Sequence, residues 1–193
     1  MRKILLSTLA TALLSATAAH ASNSDYYVKA LLGYNQLNKT NNASAKKSAS
    51  YGIGAGYYAM DNLRTDFTFE RLINNSFKDG TKKIKGDANT FLLNGFVDIF
   101  DISLFNVFIG AGIGLGQVKA EISGDTNAAN NGYAKSKYNT AYATYIGTSI
   151  EFFPKLNAEL IYSYKIIGKS KEVNNKSVKL SGHNVSVGLR LDI

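Results

Sequence analysis

Residues Asn106–Val118 read NVFIGAGIGLGQV. Val107, Ile109, Ala111, Ile113 and Leu115 fall on one parity, and Phe108, Gly110, Gly112, Gly114 and Gly116 on the other. Period two sustained over about ten residues marks an extended strand with one apolar face. The opposite face carries almost no side chains, so something bulky approaches it closely or the strand curves tightly. A narrow closed barrel accounts for both faces. Lipid wets the apolar outside, and large side chains from other strands fill the space over the glycines. The rival reading is a dinucleotide-binding loop, since Gly110-Ala-Gly112-Ile-Gly114 and Gly52-Ile-Gly54-Ala-Gly56 overlap a GxGxxG-like pattern. That fingerprint needs strand, glycine turn and amphipathic helix in succession. Here the alternation runs straight through the glycines and no helical period follows, so the strand reading prevails.

The chain of 193 residues has no Cys, no Trp, one Pro, 12 Tyr and 10 Phe, and a formal charge of +8. It begins with Arg2 and Lys3, an apolar run from Ile4 to Leu14, and Ala19-His20-Ala21. Those features predict a secretory signal peptide over residues 1–21, too short for a membrane anchor, and a mature domain over 22–193. Cleavage after Ala21 removes Arg2 and Lys3 and lowers the charge from +8 to +6. No apolar run in the mature part approaches eighteen residues, so no transmembrane helix is expected. The lack of Cys removes disulfide scaffolds and thiolate zinc sites together.

Eight alternating stretches follow one another. The first, Asp25 to Leu37, turns Tyr26, Val28, Ala30, Leu32 and Tyr34 outward and Tyr27, Lys29, Gly33 and Asn35 inward. The second, Ala49 to Met60, sets Tyr51, Ile53, Ala55 and Tyr57 against Gly52, Gly54 and Gly56, and the third, Leu63 to Leu72, alternates Leu63, Thr65, Phe67 and Phe69 with Arg64, Asp66, Thr68 and Glu70. The fourth, Asp87 to Ile99, exposes Phe91, Leu93 and Val97; the fifth is the opening stretch. The sixth, Tyr138 to Phe152, places Tyr145, Gly147 and Glu151 inside, and the seventh, Asn157 to Ile166, places Glu159, Ser163 and Lys165 inside. The last turns Val185, Val187, Leu189, Leu191 and Ile193 outward and Asn184, Ser186, Gly188, Arg190 and Asp192 inward. Polar, turn-forming loops are expected at Asn38–Ser48, Asn74–Gly86, Lys119–Lys137 and Gly168–Lys179, alternating with short links at Asp61-Asn62, Phe100–Phe105 and Phe153-Pro154-Lys155.

Long and short connections in alternation predict an all-β, eight-stranded, antiparallel up-and-down transmembrane barrel. The short turns and both termini face the periplasm and the long loops face outside. A soluble lipocalin-like barrel would hold its apolar parity inside instead. Against that stand Arg64, Asp66, Glu70, Asp98, Glu151, Glu159 and Arg190 on the inward parity, too many charges for a dry ligand pocket.

Three stretches carry a family resemblance. Leu92-Leu-Asn-Gly-Phe-Val-Asp98 resembles the "aNxYxD" strand of small opacity-type and OmpX/OmpA-like surface barrels. Phe108-Ile-Gly-Ala-Gly-Ile-Gly114 resembles their "YxGxGxG" strand, and Gly188-Leu-Arg-Leu-Asp-Ile193 their closing "GxRYxF" strand. With Lys- and Asn-rich loops added, the chain is similar to the surface adhesins of rickettsia-like bacteria. The departures are Ile193 and Leu191 where the family favours aromatics, and Ser163 where an Arg often stands. The resemblance implies a bacterial outer-membrane location, assembly by the barrel-assembly machinery and a role as an adhesin and surface antigen.

Asp66, Glu70, Glu159 and Arg190 could be cast as an acid/base set, but charges that pair across a narrow lumen make a plug without any chemistry. His183 has no acidic partner implied by the sequence. No catalytic residue, metal or cofactor is therefore expected, and the chain is expected not to be an enzyme. The candidate ligand-binding residues are Lys46, Lys47, Lys78, Lys82, Lys83, Lys85, Lys135, Lys137, Lys169, Lys171, Lys176 and Lys179, with Lys39 nearby, in or beside the four outer loops. Such a rim suits lipopolysaccharide phosphates, sulfated glycans or acidic segments of host surface or serum proteins, and no nucleic acid is expected. Two functions are weighed: an adhesin, or a structural barrel or minor pore whose basic loops only steady the anionic outer leaflet.

Overall fold

The computed structural model describes residues 26–38, 44–45, 47–79, 82–102, 105–123, 132–133, 137–169 and 179–193. The expected signal peptide, residues 1–21, lies outside them. Eight long strands follow the alternating stretches: β1 (Tyr26–Leu37), β2 (Lys47–Met60), β3 (Leu63–Asp79), β4 (Lys82–Ile102), β5 (Phe105–Ser123), β6 (Lys137–Phe153), β7 (Leu156–Lys169) and β8 (Lys179–Asp192). Each pairs antiparallel with its neighbour in sequence. β8 returns to β1 in a ladder from Tyr27↔Asp192 to Leu37↔Gly182, which closes the sheet. Closure leaves no open edge, so backbone groups are satisfied without water.

Period two decides what lies inside. On β5, Ile109 is 45% exposed and its neighbour Phe108 is fully buried. Tyr34, Tyr51, Ile53, Leu93, Ile113, Leu160 and Val187 join Ile109 on an outer surface that is almost wholly apolar. The glycines let the lumen close. A Cβ at Gly110 would strike the Phe96 ring, and one at Gly147 would meet Phe108 Cζ at 2.5 Å. Phe96 and Phe108 pack edge to face, with centroids 5.6 Å apart, in the space those glycines leave.

Three expectations are corrected. The segment Asn74–Gly86 is not a free loop: β3 and β4 pair from Asn75↔Gly86 to Asp79↔Lys82, after a bulge between Leu72 and Asn75. Neither period nor apolarity announces this hairpin, because its pairing continues a ladder already registered below it. The supposed third loop likewise begins late, since β5 continues to Ser123 and pairs with Gly132–Tyr133. Glu151, on the inward parity, is exposed; its Oε1 accepts the Lys155 N–H at 3.1 Å in the turn after β6. Lys155 adopts φ 68°, the left-handed conformation that this tight turn demands.

Candidate functional site

Two regions could carry function, the lumen and the outer rim. From the periplasmic end, the lumen opens with a charge network. Glu159 Oε1 accepts from Arg64 Nη1 at 2.8 Å and Arg190 Nη1 at 2.6 Å. Arg64 Nε lies 3.5 Å from Asp98, and Arg190 Nε 3.3 Å from Asp192. The Arg64 guanidinium also sits over the Phe108 ring, 4.3 Å from its centroid.

One layer up, Asp66 takes the Lys29 ammonium at 2.5 Å, the Tyr27 hydroxyl at 3.0 Å, the Asn94 amide at 2.7 Å and the Thr68 hydroxyl at 2.8 Å. Tyr145 donates to Asn94 Oδ1 at 2.9 Å, so both ends of that amide are used. Lys165 pairs with Glu70 above. Each carboxylate considered above for acid/base work is thus committed to a buried cation. The family-like motifs acquire a physical meaning here: Asn94, Asp98 and Arg190 are the network's own members.

Beside the Lys165–Glu70 pair lies a group of amides. Asn184 Nδ2 donates to Asn35 Oδ1 at 2.9 Å, and Ser163 Oγ donates to Asn184 Oδ1 at 3.2 Å. Ser163 is therefore a lumen hydrogen-bond donor. At the extracellular end the lumen turns apolar. Leu37, Leu72, Ala88, Val118, Ile167 and Leu180, from six different strands, form one buried cluster. This collar was not anticipated from the sequence. Its signal was present in the apolar residues that occupy inward parity at the upper ends of β1, β3, β4 and β5.

The rim lysines divide by position. Lys46, Lys135, Lys171 and Lys176 lie outside the described residues, as does Lys39. Lys47, Lys137 and Lys179 begin β2, β6 and β8, Lys78 lies near the end of β3, and Lys169 ends β7. Lys82, Lys83 and Lys85 lie at the start of β4. The register brings Lys78 opposite Lys83 and Lys82 opposite Asp79, with Lys85 opposite Ser76 on one side and Glu121 on the other. It also sets Lys169 opposite Lys179. Lys47 is exposed, its ammonium 5.6 Å from the centroid of the Tyr34 ring.

Comparison with known proteins agrees with this architecture. The outer membrane protein beta-barrel domain family matches residues 6–190. A Rickettsia conorii protein named "putative adhesin" is 39% identical over 80% of this chain and 73% of its own length. A Rickettsia prowazekii protein of the same description is 31% identical over the whole of both chains. The crystal structure of Neisserial surface protein A superposes with a TM-score of 0.67 at 19% identity, covering 87% of this chain and 97% of that one, a likeness of fold. The closed eight-stranded barrel, its apolar exterior and these matches lead to one conclusion: the chain belongs to the outer membrane protein beta-barrel domain family and is a multi-pass protein of the bacterial outer membrane.

Proposed function

We propose that the protein is an adhesin that grips polyanionic host ligands, sulfated glycans above all, through the basic hairpin of β3 and β4. The observation that carries this reading is the register. Lys78 and Lys83 are direct register partners, and Lys85 follows two positions along β4. Like charges opposed across a ladder repel, and a bound anion relieves that repulsion. This hairpin continues above the level where β2 leaves the β3 ladder at Ala49↔Ile73, apart from the short pairing at Ser44–Ala45. The names of the Rickettsia relatives favour the same reading. The packed lumen and its apolar collar favour adhesion over a role as a minor pore.

Heparin binding by the refolded barrel tests the proposal. Binding should weaken as salt rises through physiological strength, where the Debye length falls to about 8 Å. Replacing Lys78, Lys82, Lys83 and Lys85 with Ser should weaken it further and leave the heat-modifiable barrel intact. Heparin binding that ignores both salt and these changes would overturn the basic-hairpin reading, and absence of both heparin binding and host-cell attachment would return the protein to a purely structural role.

A further inference from the structure

Gly95 occupies a place in the folded wall that does not call for a glycine. It stands exposed on the outward parity of β4, between exposed Leu93 and Val97 and opposite Thr65 of β3 and Ala111 of β5. A Cβ there would meet nothing within 4 Å, and the backbone is not in the left-handed conformation. The lumen glycines differ: a Cβ at Gly110 would strike Phe96, and one at Gly112 would strike Asn94. Glycine inside a strand weakens it, and an apolar side chain on the lipid face would be accepted.

The consequence of Gly95 lies in the residue before it. Asn94 is buried and its amide is fully engaged. Nδ2 donates to Asp66 Oδ1 at 2.7 Å and to Thr68 Oγ1 at 3.2 Å, and Oδ1 accepts the Tyr145 hydroxyl at 2.9 Å. The Asn94 carbonyl accepts from Thr65 Oγ1 at 2.9 Å. Ladders to Asp66 on one side and Gly112 on the other hold the residue extended. In the barrel, neither the side chain nor the Asn94–Gly95 peptide is free to turn toward the other.

In the unfolded chain these restraints vanish, and an Asn followed by Gly has an intramolecular reaction open to it. The Gly95 nitrogen, with no side chain beside it to hinder approach, attacks Asn94 Cγ. The N–Cγ bond forms, the Cγ–Nδ2 bond breaks, and Nδ2 leaves as ammonia with the proton from the Gly95 nitrogen. Water then opens the cyclic imide at either carbonyl and gives aspartate or isoaspartate.

Neither product fits the lumen. Aspartate replaces the donor that faces Asp66 with a second carboxylate, in a site closed to water. Isoaspartate runs the main chain through the former side chain and adds one carbon to it. The rungs Asp66↔Asn94 and Arg64↔Phe96 can then no longer both be kept in register.

We infer that Asn94–Gly95 is a spontaneous modification site open only in the unassembled chain, and that its reaction irreversibly removes long-unfolded chains from the assembly route. The inference is independent of the adhesin reading.

One sample is held unfolded in guanidinium chloride at neutral pH, and a matched sample is refolded into phosphatidylcholine vesicles. Peptide mapping by mass spectrometry follows Asn94 in each, apart from Asn131-Gly132, the other pair of this kind in the chain. The unfolded sample should lose Asn94 progressively, and the folded sample should keep it. When the aged unfolded sample is refolded, the heat-modifiable barrel should carry intact Asn94 and the remainder the modified residue. Folded yield should therefore fall in proportion to the Asn94 lost. Gly95→Ala should fold as well as the parent, convert no faster than Asn42-Ala43 in the same unfolded chain, and keep its yield over the same interval. Equal loss of Asn94 in both samples overturns the inference, and so does modified residue in the folded fraction at its proportion in the whole. A Gly95→Ala chain whose yield declines as fast as the parent's also overturns it, by moving the damage to another site. The partition within the parent chain needs no variant, so it decides the matter even where Gly95→Ala folds poorly.

Discussion

At the residue scale, Glu159 holds the periplasmic end of the lumen together, because two guanidiniums converge on one of its oxygens. Removing one member of a buried ion group leaves the others charged, desolvated and short of a partner. Glu159→Gln should therefore cost about 3–5 kcal/mol, read as a lower urea midpoint for loss of the heat-modifiable form. Adding Arg190→Leu to that variant should recover part of the loss, since it removes one of the stranded cations. If the double variant is less stable than Glu159→Gln alone, the two residues do not share an electrostatic unit. On the outer surface, Ile109→Arg should cost about 2–4 kcal/mol in bilayers, because the new charge faces hydrocarbon. Gly110→Val should fail for a different reason, steric conflict with the Phe96 ring and with the Gly95 carbonyl oxygen 2.8 Å away, so Phe96→Ala should relieve only part of it.

At the element scale, the β3–β4 hairpin and β8 make opposite predictions. Deleting residues 76–85 and joining the stumps with a short turn removes the β3–β4 rungs above Asn75↔Gly86, the β4–β5 rungs from Lys83↔Ser123 to Lys85↔Glu121, and the pairing of Ser44–Ala45 with β3. Thermal stability should stay near that of the full chain while heparin binding falls to background. Deleting Leu191–Ile193 removes the rungs Val28↔Leu191 and Tyr27↔Asp192, and with them the bond from Ile193 N–H to the Tyr26 carbonyl at 2.8 Å. That variant should accumulate as periplasmic aggregate, and Ile193→Phe should assemble at least as well as the parent. Outer-membrane fractionation reads both, and efficient assembly of the deletion would remove β8 from the closing role. These contrasts follow how much of each element the sequence displays. Strands that separate lipid from lumen carry strict period two, so β1, β5 and β8 can be read residue by residue. The upper hairpin separates nothing, so Asn74–Gly86 has the composition of a loop and the backbone of a ladder. Of the candidate site, the chemistry of the lysines was visible, but the opposition of Lys78 to Lys83 is a matter of register, which composition does not encode. Lys29 and Asp66, 37 positions apart, meet only when β1, β2 and β3 are in register, with Lys29 reaching over Gly54 of the strand between them.

At the scale of the whole molecule, an interior filled by ion pairs, amides and aromatic rings leaves little room for solute. Planar bilayers containing the refolded barrel should show no unit conductance steps, and ohmic steps would favour the pore reading. The stacking of the interior also has a direction. The charged residues that retain some exposure, Asp98 and Asp192 at 12% and 17%, stand at the periplasmic end, and the dry collar from Leu37 to Leu180 stands at the other. The barrel is in this sense an insulator with a single open terminal. Acid or salt in the surroundings of the bacterium meets hydrocarbon at the collar, whereas the same change in the periplasm meets carboxylates directly. An outer surface can thus be remodelled, or bathed in a hostile medium, while the ionic frame that holds the wall upright answers only to the cell's own compartment.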